Sequence, residues 1–361
     1  MLIIYILIAI ILLAGLWAWV VCDRIVWWEW LVGAILLPAT ALSIHYGMLS
    51  GELHDVETVS GHVVSTTHHP YWLERYTTLV CTSTGKTTSC HTQVHYSTHP
   101  EYWSVRTSLG SMYHIDQNFH KEIVGEFGPV VAEDDGRSGL VDGDPYIYVS
   151  YNKKNTLDYP TNESNYYQNP MKLSGSVRGF RKLKENELKE VHSYPSSNSV
   201  FVSNRLLGEA AKSIKINDWD RLNSYLGPKK HVNLIAVGFS SGAEKLCELE
   251  ESNWLGGKRN DLVICFGGSA KRPDYVKVFG WTDSSYVKSK LSSEIQEHGL
   301  VPSSFNHIIE TVESAYVWKD FKDFDYITVE PSFGHILVVL LMVCLVAGGW
   351  GYIAYVNETN K

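Results

Sequence analysis

The sequence predicts an α+β soluble region carried by three membrane-spanning helices. Three observations predict it. Both ends of the 361-residue chain are apolar runs, while the middle is polar. Residues 50–110 hold Thr-, Val- and Tyr-rich runs around a glycine turn, as the strands of a hairpin do. From residue 196 onward, continuous apolar runs alternate with helical spacing, the pattern of an α/β layer.

Residues 2–21, LIIYILIAIILLAGLWAWVV, carry no charge. About twenty residues at ~1.5 Å each cross a hydrocarbon core. Residues 25–46 follow with Glu29 and His45 near their ends, and residues 335–356 make the third predicted span. The first run lacks the basic start and small-residue cleavage site of a secretory signal. Three spans would place the N-terminus and the soluble region on one side. The 22–29 loop and the tail would lie on the other, where Trp17, Trp19, Trp27, Trp28, Trp30, Trp350, Tyr352 and Tyr355 would sit in the interface. Arg24 and Lys361 are the basic residues on that side, which leans the soluble region towards the exported face.

The net charge is -8 and no basic block occurs, so no nucleic-acid partner is expected. Within residues 50–110, the stretch HHPYWLERYTTLVCTSTGKTTSCHTQVHYSTHPEYW reads as a hairpin turning at Gly85-Lys86, with Gly first in a two-residue turn. Counting outwards, Cys81 faces Cys90 at a non-hydrogen-bonded position, where α-carbons lie roughly 4.5 Å apart, within disulfide reach. A disulfide there calls for an oxidising compartment. Zinc is the competing reading, but His91 and His95 fall on the face opposite the cysteines. His68, His69, His95 and His99 remain weak metal candidates at the open end of the hairpin, against the plainer reading of a polar strand surface.

Residues 111–195 form a mixed linker and β region. Ile115, Phe119 and Ile123 have helical spacing ending near Gly125. LVDGDPYIYVSYN reads as a turn and a strand, and Asp142-Gly143-Asp144 lacks the downstream glutamate of a calcium loop. Residues 152–176 read as an extended loop, and 181–191 as a short charged helix.

Residues 196–328 form the α/β domain. Residues 231–239 and 260–268 read as buried strands and 274–281 as an edge strand. Ser241 to Glu244 suggest a capping box. Helices start at Asp283, with Val287, Leu291 and Ile295 inward, and near Ser304, with Phe305, Ile308, Ile309, Val312 and Tyr316 inward. DFDYITV would close the sheet. LGGKRND is not a phosphate loop: its glycines follow a helix, and Arg259 stands where Ser or Thr is needed. With no G-x-S-x-G or H-E-x-x-H present, Asp261, Asp274 and Asp283 are the weak catalytic candidates. Each doubles as a cap or turn residue.

Trp254, Gly257, Lys258, Asn260, Leu262 to Phe266 and Gly280 follow an outline that resembles the TPM domain, an α/β module usually anchored to membranes. This resemblance implies a three-layer α/β fold over roughly residues 196–320. Over most of its length the chain is also similar to membrane-anchored proteins of tailed phages and prophages. The shared features are the N-terminal spans, the cysteine hairpin before HPEYW, DGDPY, WLGGKRND, VFGWTD and a final span. That resemblance implies a phage origin and a location in the host envelope. Together with the charge lean and the hairpin disulfide, the expectation is an integral protein of the host inner membrane with its soluble domain on the periplasmic side. The resemblance implies as partners the lipid bilayer and a host or phage membrane protein, and a homo-oligomer is compatible with it.

The main expectation is thus a non-enzymatic protein presenting a domain at the host envelope for protein contacts, in envelope modification, assembly or exclusion. A TPM-like, metal-dependent phosphoester hydrolase using Asp261, Asp274 and Asp283 is the alternative. A metal-binding or sensing hairpin is the second alternative. No cofactor is required by the motifs, though a divalent cation is admitted.

Overall fold

The structure is a computed structural model that describes residues 27–359, apart from 86, 174–179, 197–198, 325–326, 328 and 330. In chain order its helices and strands begin with α1 (Trp27–Leu53), β1 (His54–His69), β2 (Trp72–Thr84), β3 (Thr87–His99), β4 (Tyr102–Thr107) and β5 (Met112–Ile115). There follow α2 (Gln117–Phe127), β6 (Val131–Asp134), β7 (Leu140–Gly143), β8 (Tyr146–Tyr151), β9 (Pro160–Gln168) and α3 (Glu185–Leu188). The last part holds β10 (Leu206–Leu207), α4 (Ile216–Lys230), β11 (Asn233–Phe239), α5 (Ala243–Asn253), β12 (Asp261–Ser269), β13 (Arg272–Gly280), α6 (Ser285–His298), α7 (Phe305–Ala315) and α8 (Phe333–Thr359). Two compact units divide the chain: Met1–Val56 with Tyr166–Arg181 and Asp320–Lys361, and Glu57–Asn165 with Lys182–Lys319.

In the first unit, Leu37 and Ala41 of α1 pack on Val339 and Val343 of α8. His45 Nδ1 lies 3.0 Å from His335 Nε2. This corrects the expectation of three spans. The predicted span 2–21 lies outside the described residues. Among the described residues one helix is long and apolar enough to cross a membrane, over Phe333–Trp350. The predicted span 25–46 falls on α1, which runs on to Leu53 and takes in Pro38, Thr40, His45, Ser50 and Glu52. Some of its apolar residues face α8, so apolarity there reports helix–helix packing as well as length.

In the second unit, β5, β4, β1, β8 and β6 pair in that order, and β9 adds to β1. Val63 and Val105 of this sheet are fully buried against Ile123 and Phe127 of α2. Asp116 starts α2 by accepting hydrogen bonds from the Asn118 and Phe119 N–H groups at 2.9 and 3.0 Å. That cap displaces the predicted helical stripe: Ile115 lies in β5, and the helix runs past Gly125 to Phe127. Residues 160–168 form β9, where an extended loop was expected.

β1 and β4 pair as far as His69 and Tyr102, and the same two chain segments pair again as β2 and β3, from Trp72 with His99 to Thr84 with Thr87. Pro70-Tyr71 and Pro100-Glu101 interrupt the ladder at one level, because proline has no N–H to donate. The two His-Pro-aromatic segments, His69-Pro70-Tyr71 and His99-Pro100-Glu101-Tyr102, are thereby brought to one level. Each half supplies the ring that its opposite stacks upon: His69 on Tyr102 at 4.1 Å, Trp72 on His99 at 4.0 Å and Tyr76 on His95 at 5.2 Å between centroids. β7 completes a three-stranded sheet by pairing with the base of β2.

The remaining sheet runs β10–β11–β12–β13. β10, β11 and β12 are parallel and β13 is antiparallel. Trp219, Leu226, Leu291, Ile295, Ile308 and Val312 of α4, α6 and α7 cover one face. Ala243 and Cys247 of α5, with Trp254, cover the other. With both faces covered, every residue of β11 is buried, which is why that segment is continuously apolar. A disulfide joins Cys247 of α5 to Cys265 of β12, both fully buried. No strand forms over DFDYITV among the described residues; Phe321–Phe324 is a short 3-10 turn.

Candidate metal centre

The three aspartates do not form one site. Asp261 opens β12 and is fully buried. Its carboxylate accepts from Asn233 Nδ2 at 2.8 Å, Tyr194 Oη at 2.9 Å and the Lys258 N–H at 2.6 Å. Burial pushes its carboxyl above the usual range, against these hydrogen bonds. Asp261 therefore locks the turn before the strand. Asp274 lies at the start of β13, beside Gly267 and Gly268 at the far end of β12. Seven residues of strand separate those ends, ~20 Å at the usual rise. Asp283 follows the other end of β13, where its exposed carboxylate pairs with Lys319 at 2.7 Å. A hydrolytic centre built from all three is excluded by this spacing.

The hairpin histidines are separately engaged. His68 Nε2 lies 2.6 Å from Glu101, His69 Nε2 3.1 Å from Ser104, His95 Nε2 2.8 Å from Thr78 and His99 Nε2 3.0 Å from Glu74. Burial holds the His69 ring down to a pKa of about 4, with the Asp135 charge opposing and the Arg137 charge assisting. Cys81 and Cys90 are joined in a disulfide, and their side of the ribbon is opposite His91 and His95.

Among the described residues, the group of three side chains able to share a cation is Glu294, His298 and His307, whose donor atoms all lie within 4.8 Å of one another. α6 places Glu294 and His298 four residues apart, on adjacent turns of one face. α7 brings His307 across, and the two imidazoles stack at 4.7 Å with 15° between their planes. Glu294 Oε2 lies 3.5 Å from His298 Nε2 and 3.7 Å from His307 Nδ1. The apolar stripes of the two helices, Leu291 and Ile295 on α6 and Ile308 and Val312 on α7, fix this approach. Glu294 also pairs with Lys290, which holds its carboxyl below the usual carboxylate range. Two imidazoles and one carboxylate form a borderline donor set suited to zinc and its neighbours, with bond lengths near 2.0–2.2 Å. A shift of roughly 1 Å by the two exposed imidazoles and the part-buried carboxylate would bring the donors to that geometry.

The Glu-x-x-x-His spacing of residues 294–298 is the signal that sequence reading missed. It is interleaved with the apolar stripe of the same helix, Val287, Leu291 and Ile295, which dominates the pattern. The second disulfide was missed because nothing in the linear sequence pairs a helix cysteine with a strand cysteine.

Beside Asp274 lies a crevice of about 630 Å³, lined by Ser241, Gly242, Glu244, Lys245, Glu248 and Asp274 among others. It sits outside the carboxyl ends of β11 and β12, where open α/β sheets commonly take ligands. α5 begins there on Gly242, in a left-handed conformation and with no side-chain cap, so the expected Ser241–Glu244 capping box does not form.

No family model matches the chain, and neither a curated protein nor a solved structure is similar to it. The expected role at a host envelope and the inner-membrane location rested on three spans and on a phage resemblance. One helix among the described residues qualifies as a span, and no comparison supports the resemblance. Neither that role nor a phage identity is retained.

Proposed function

We propose that the chain is a divalent-metal-binding protein, taking a cation of the zinc class at Glu294, His298 and His307. The carrying observation is the convergence of three N/O donors from two packed helices. Three protein ligands leave a coordination position for water or another donor. This reading supports a binding or sensing role and relocates it from the hairpin to the α6–α7 surface.

Equilibrium dialysis with Zn²⁺, followed by elemental analysis, tests it. One cation per chain is expected in the native protein. His298→Ala together with His307→Ala should abolish that stoichiometry while leaving the circular dichroism spectrum unchanged. Equal Zn²⁺ content in the native and doubly substituted chains would overturn the proposal.

A metal-dependent phosphoester hydrolase is the second reading, and the crevice favours it. Leu300, just past α6, donates to Ala270 O at 2.6 Å, so the metal cluster lies at the same end of the sheet as the crevice but on the opposite face, and the cation of this reading is a separate one taken in the crevice beside Asp274. Asp274 would then act without Asp261 or Asp283. Turnover of generic phosphoesters with Zn²⁺ or Mn²⁺, lost in Asp274→Asn, is the expected result; no turnover excludes it.

A further inference from the structure

We propose that the chain forms a symmetric dimer by pairing the free edge of β3 with the same edge of a second copy. β3 stands at the end of its sheet, and among the described residues it pairs with β2 alone. It is 13 residues long and exposed along most of its length. Natural edge strands are guarded by charge, proline or a bulge. Thr87–His99 contains no Lys, Arg, Asp, Glu or Pro, and its register with β2 has no slip. The other edge of the arm is partly met at its base. β7 pairs with Trp72 to Glu74, and the Arg75 N–H donates to Gly139 O at 2.8 Å.

An isolated two-stranded arm is marginal in water. This one nevertheless leaves Leu79, Val94 and Tyr96 uncovered at 68%, 42% and 62% exposure. The register puts all three on the face of the Cys81–Cys90 disulfide. A closing pair at Thr84 and Thr87 in a two-residue turn directs the odd-numbered backbone groups of β3 towards β2. The even-numbered groups, from Thr88 to Thr98, point outwards.

A second copy matches this pattern. An antiparallel partner related by a two-fold axis through Gln93 pairs the whole strand. Thr88 then meets Thr98, Cys90 meets Tyr96 and Thr92 meets Val94. All six are outward-facing residues, so the ladder closes with donors opposite acceptors. No like charges oppose one another, and the two apolar faces merge on one side of a continuous sheet. Such an interface is isologous, as closed dimers require. A strand of this length spans ~43 Å. A strip ~10 Å wide along it covers ~430 Å² per copy, about 860 Å² in total, below the roughly 1,200–2,000 Å² total of stable complexes, so the dimer is concentration-dependent.

Sedimentation velocity of the full chain over a wide concentration range should show reversible monomer–dimer exchange. Gln93→Lys sets like charges across the axis and should raise the dissociation constant up to about fivefold. Gln93→Cys places two thiols at a non-hydrogen-bonded pair, with α-carbons roughly 4.5 Å apart, and should cross-link copies on mild oxidation. Ser89→Cys, off the axis, should not exceed the unsubstituted chain. Retention of the Cys81–Cys90 bond by mass confirms that each variant keeps the arm. A native chain monomeric at every concentration, an unchanged dimer in Gln93→Lys, or equal cross-linking at 89 and 93 would each overturn the proposal.

Discussion

The carboxylate of Glu57 is fully buried and accepts both a 2.8 Å bond from Arg259 Nε and a 2.7 Å bond from Arg259 Nη2. His231 Nε2 adds a third contact at 3.0 Å. This ties β1 to the turn before β12. Desolvation by burial raises the acid's pKa, but the bonds to His231 and Arg259 outweigh it and hold the folded value below the ordinary one. A depressed carboxylate contributes stability above its unfolded pKa and loses it as pH falls through the folded value. Glu57→Gln should cost about 2–4 kcal/mol in urea unfolding at neutral pH. The difference between native and variant chains should shrink as the solution is acidified below the ordinary carboxylate range.

The two disulfides should differ in reactivity. Cys81 and Cys90 are exposed, whereas Cys247 and Cys265 are fully buried. Mild reductant followed by alkylation should label the first pair in the folded protein and the second only on unfolding, as read by mass spectrometry. Replacing Cys247 and Cys265 by Ser should lower stability by about 3 kcal/mol, with a smaller loss for the shorter Cys81–Cys90 loop.

His69 should titrate near pH 4 by nuclear magnetic resonance. A histidine whose folded value lies below its unfolded value protonates first in the unfolded chain. Its contribution to stability is therefore intact above the ordinary histidine range and is lost progressively as pH falls towards about 4. His69→Asn should flatten that part of the stability profile.

Lys290 competes for the metal centre, because its ammonium pairs with Glu294. Lys290→Ala should tighten Zn²⁺ binding a few-fold, and Glu294→Gln should weaken it by at least about tenfold. Isothermal titration measures both. Binding should also weaken in acid, since imidazole ligands must shed their protons.

Asp261→Asn should lower stability by about 1–3 kcal/mol, because a buried amide cannot accept all the bonds the carboxylate takes. Asp274→Asn, at an exposed position, should leave stability unchanged within about 0.5 kcal/mol. Thermal unfolding of the two variants separates a structural acid from one free to serve a ligand.

The ribbon was legible because period-two alternation and a glycine turn set its register directly, down to Cys81 opposite Cys90. β11 and β12 were legible because strands covered on both faces are continuously apolar. The span expected over 25–46 was misread because helix–helix packing and lipid exposure select the same residues, as Leu37 against Val339 shows, whereas the last predicted span falls on the helix that is long and apolar enough to cross a membrane. The metal centre was half legible, as the Glu294–His298 spacing, because His307 reaches Glu294 only through the packing of α6 on α7, which no linear spacing encodes. Asp261 looked catalytic in sequence because a buried structural acid and a catalytic one share the same strand-end position.

Pro70 and Pro100 stand at one level of the ribbon, where the paired backbone lapses on both strands. On the β2 side the lapse is bridged from outside, where the Asp144 N–H donates to Tyr71 O at 3.3 Å and Arg137 Nη1 to Pro70 O at 3.5 Å. The distal segment is thus a lever closed at its tip by a covalent clasp and, among the described residues, buttressed at its root on one side alone.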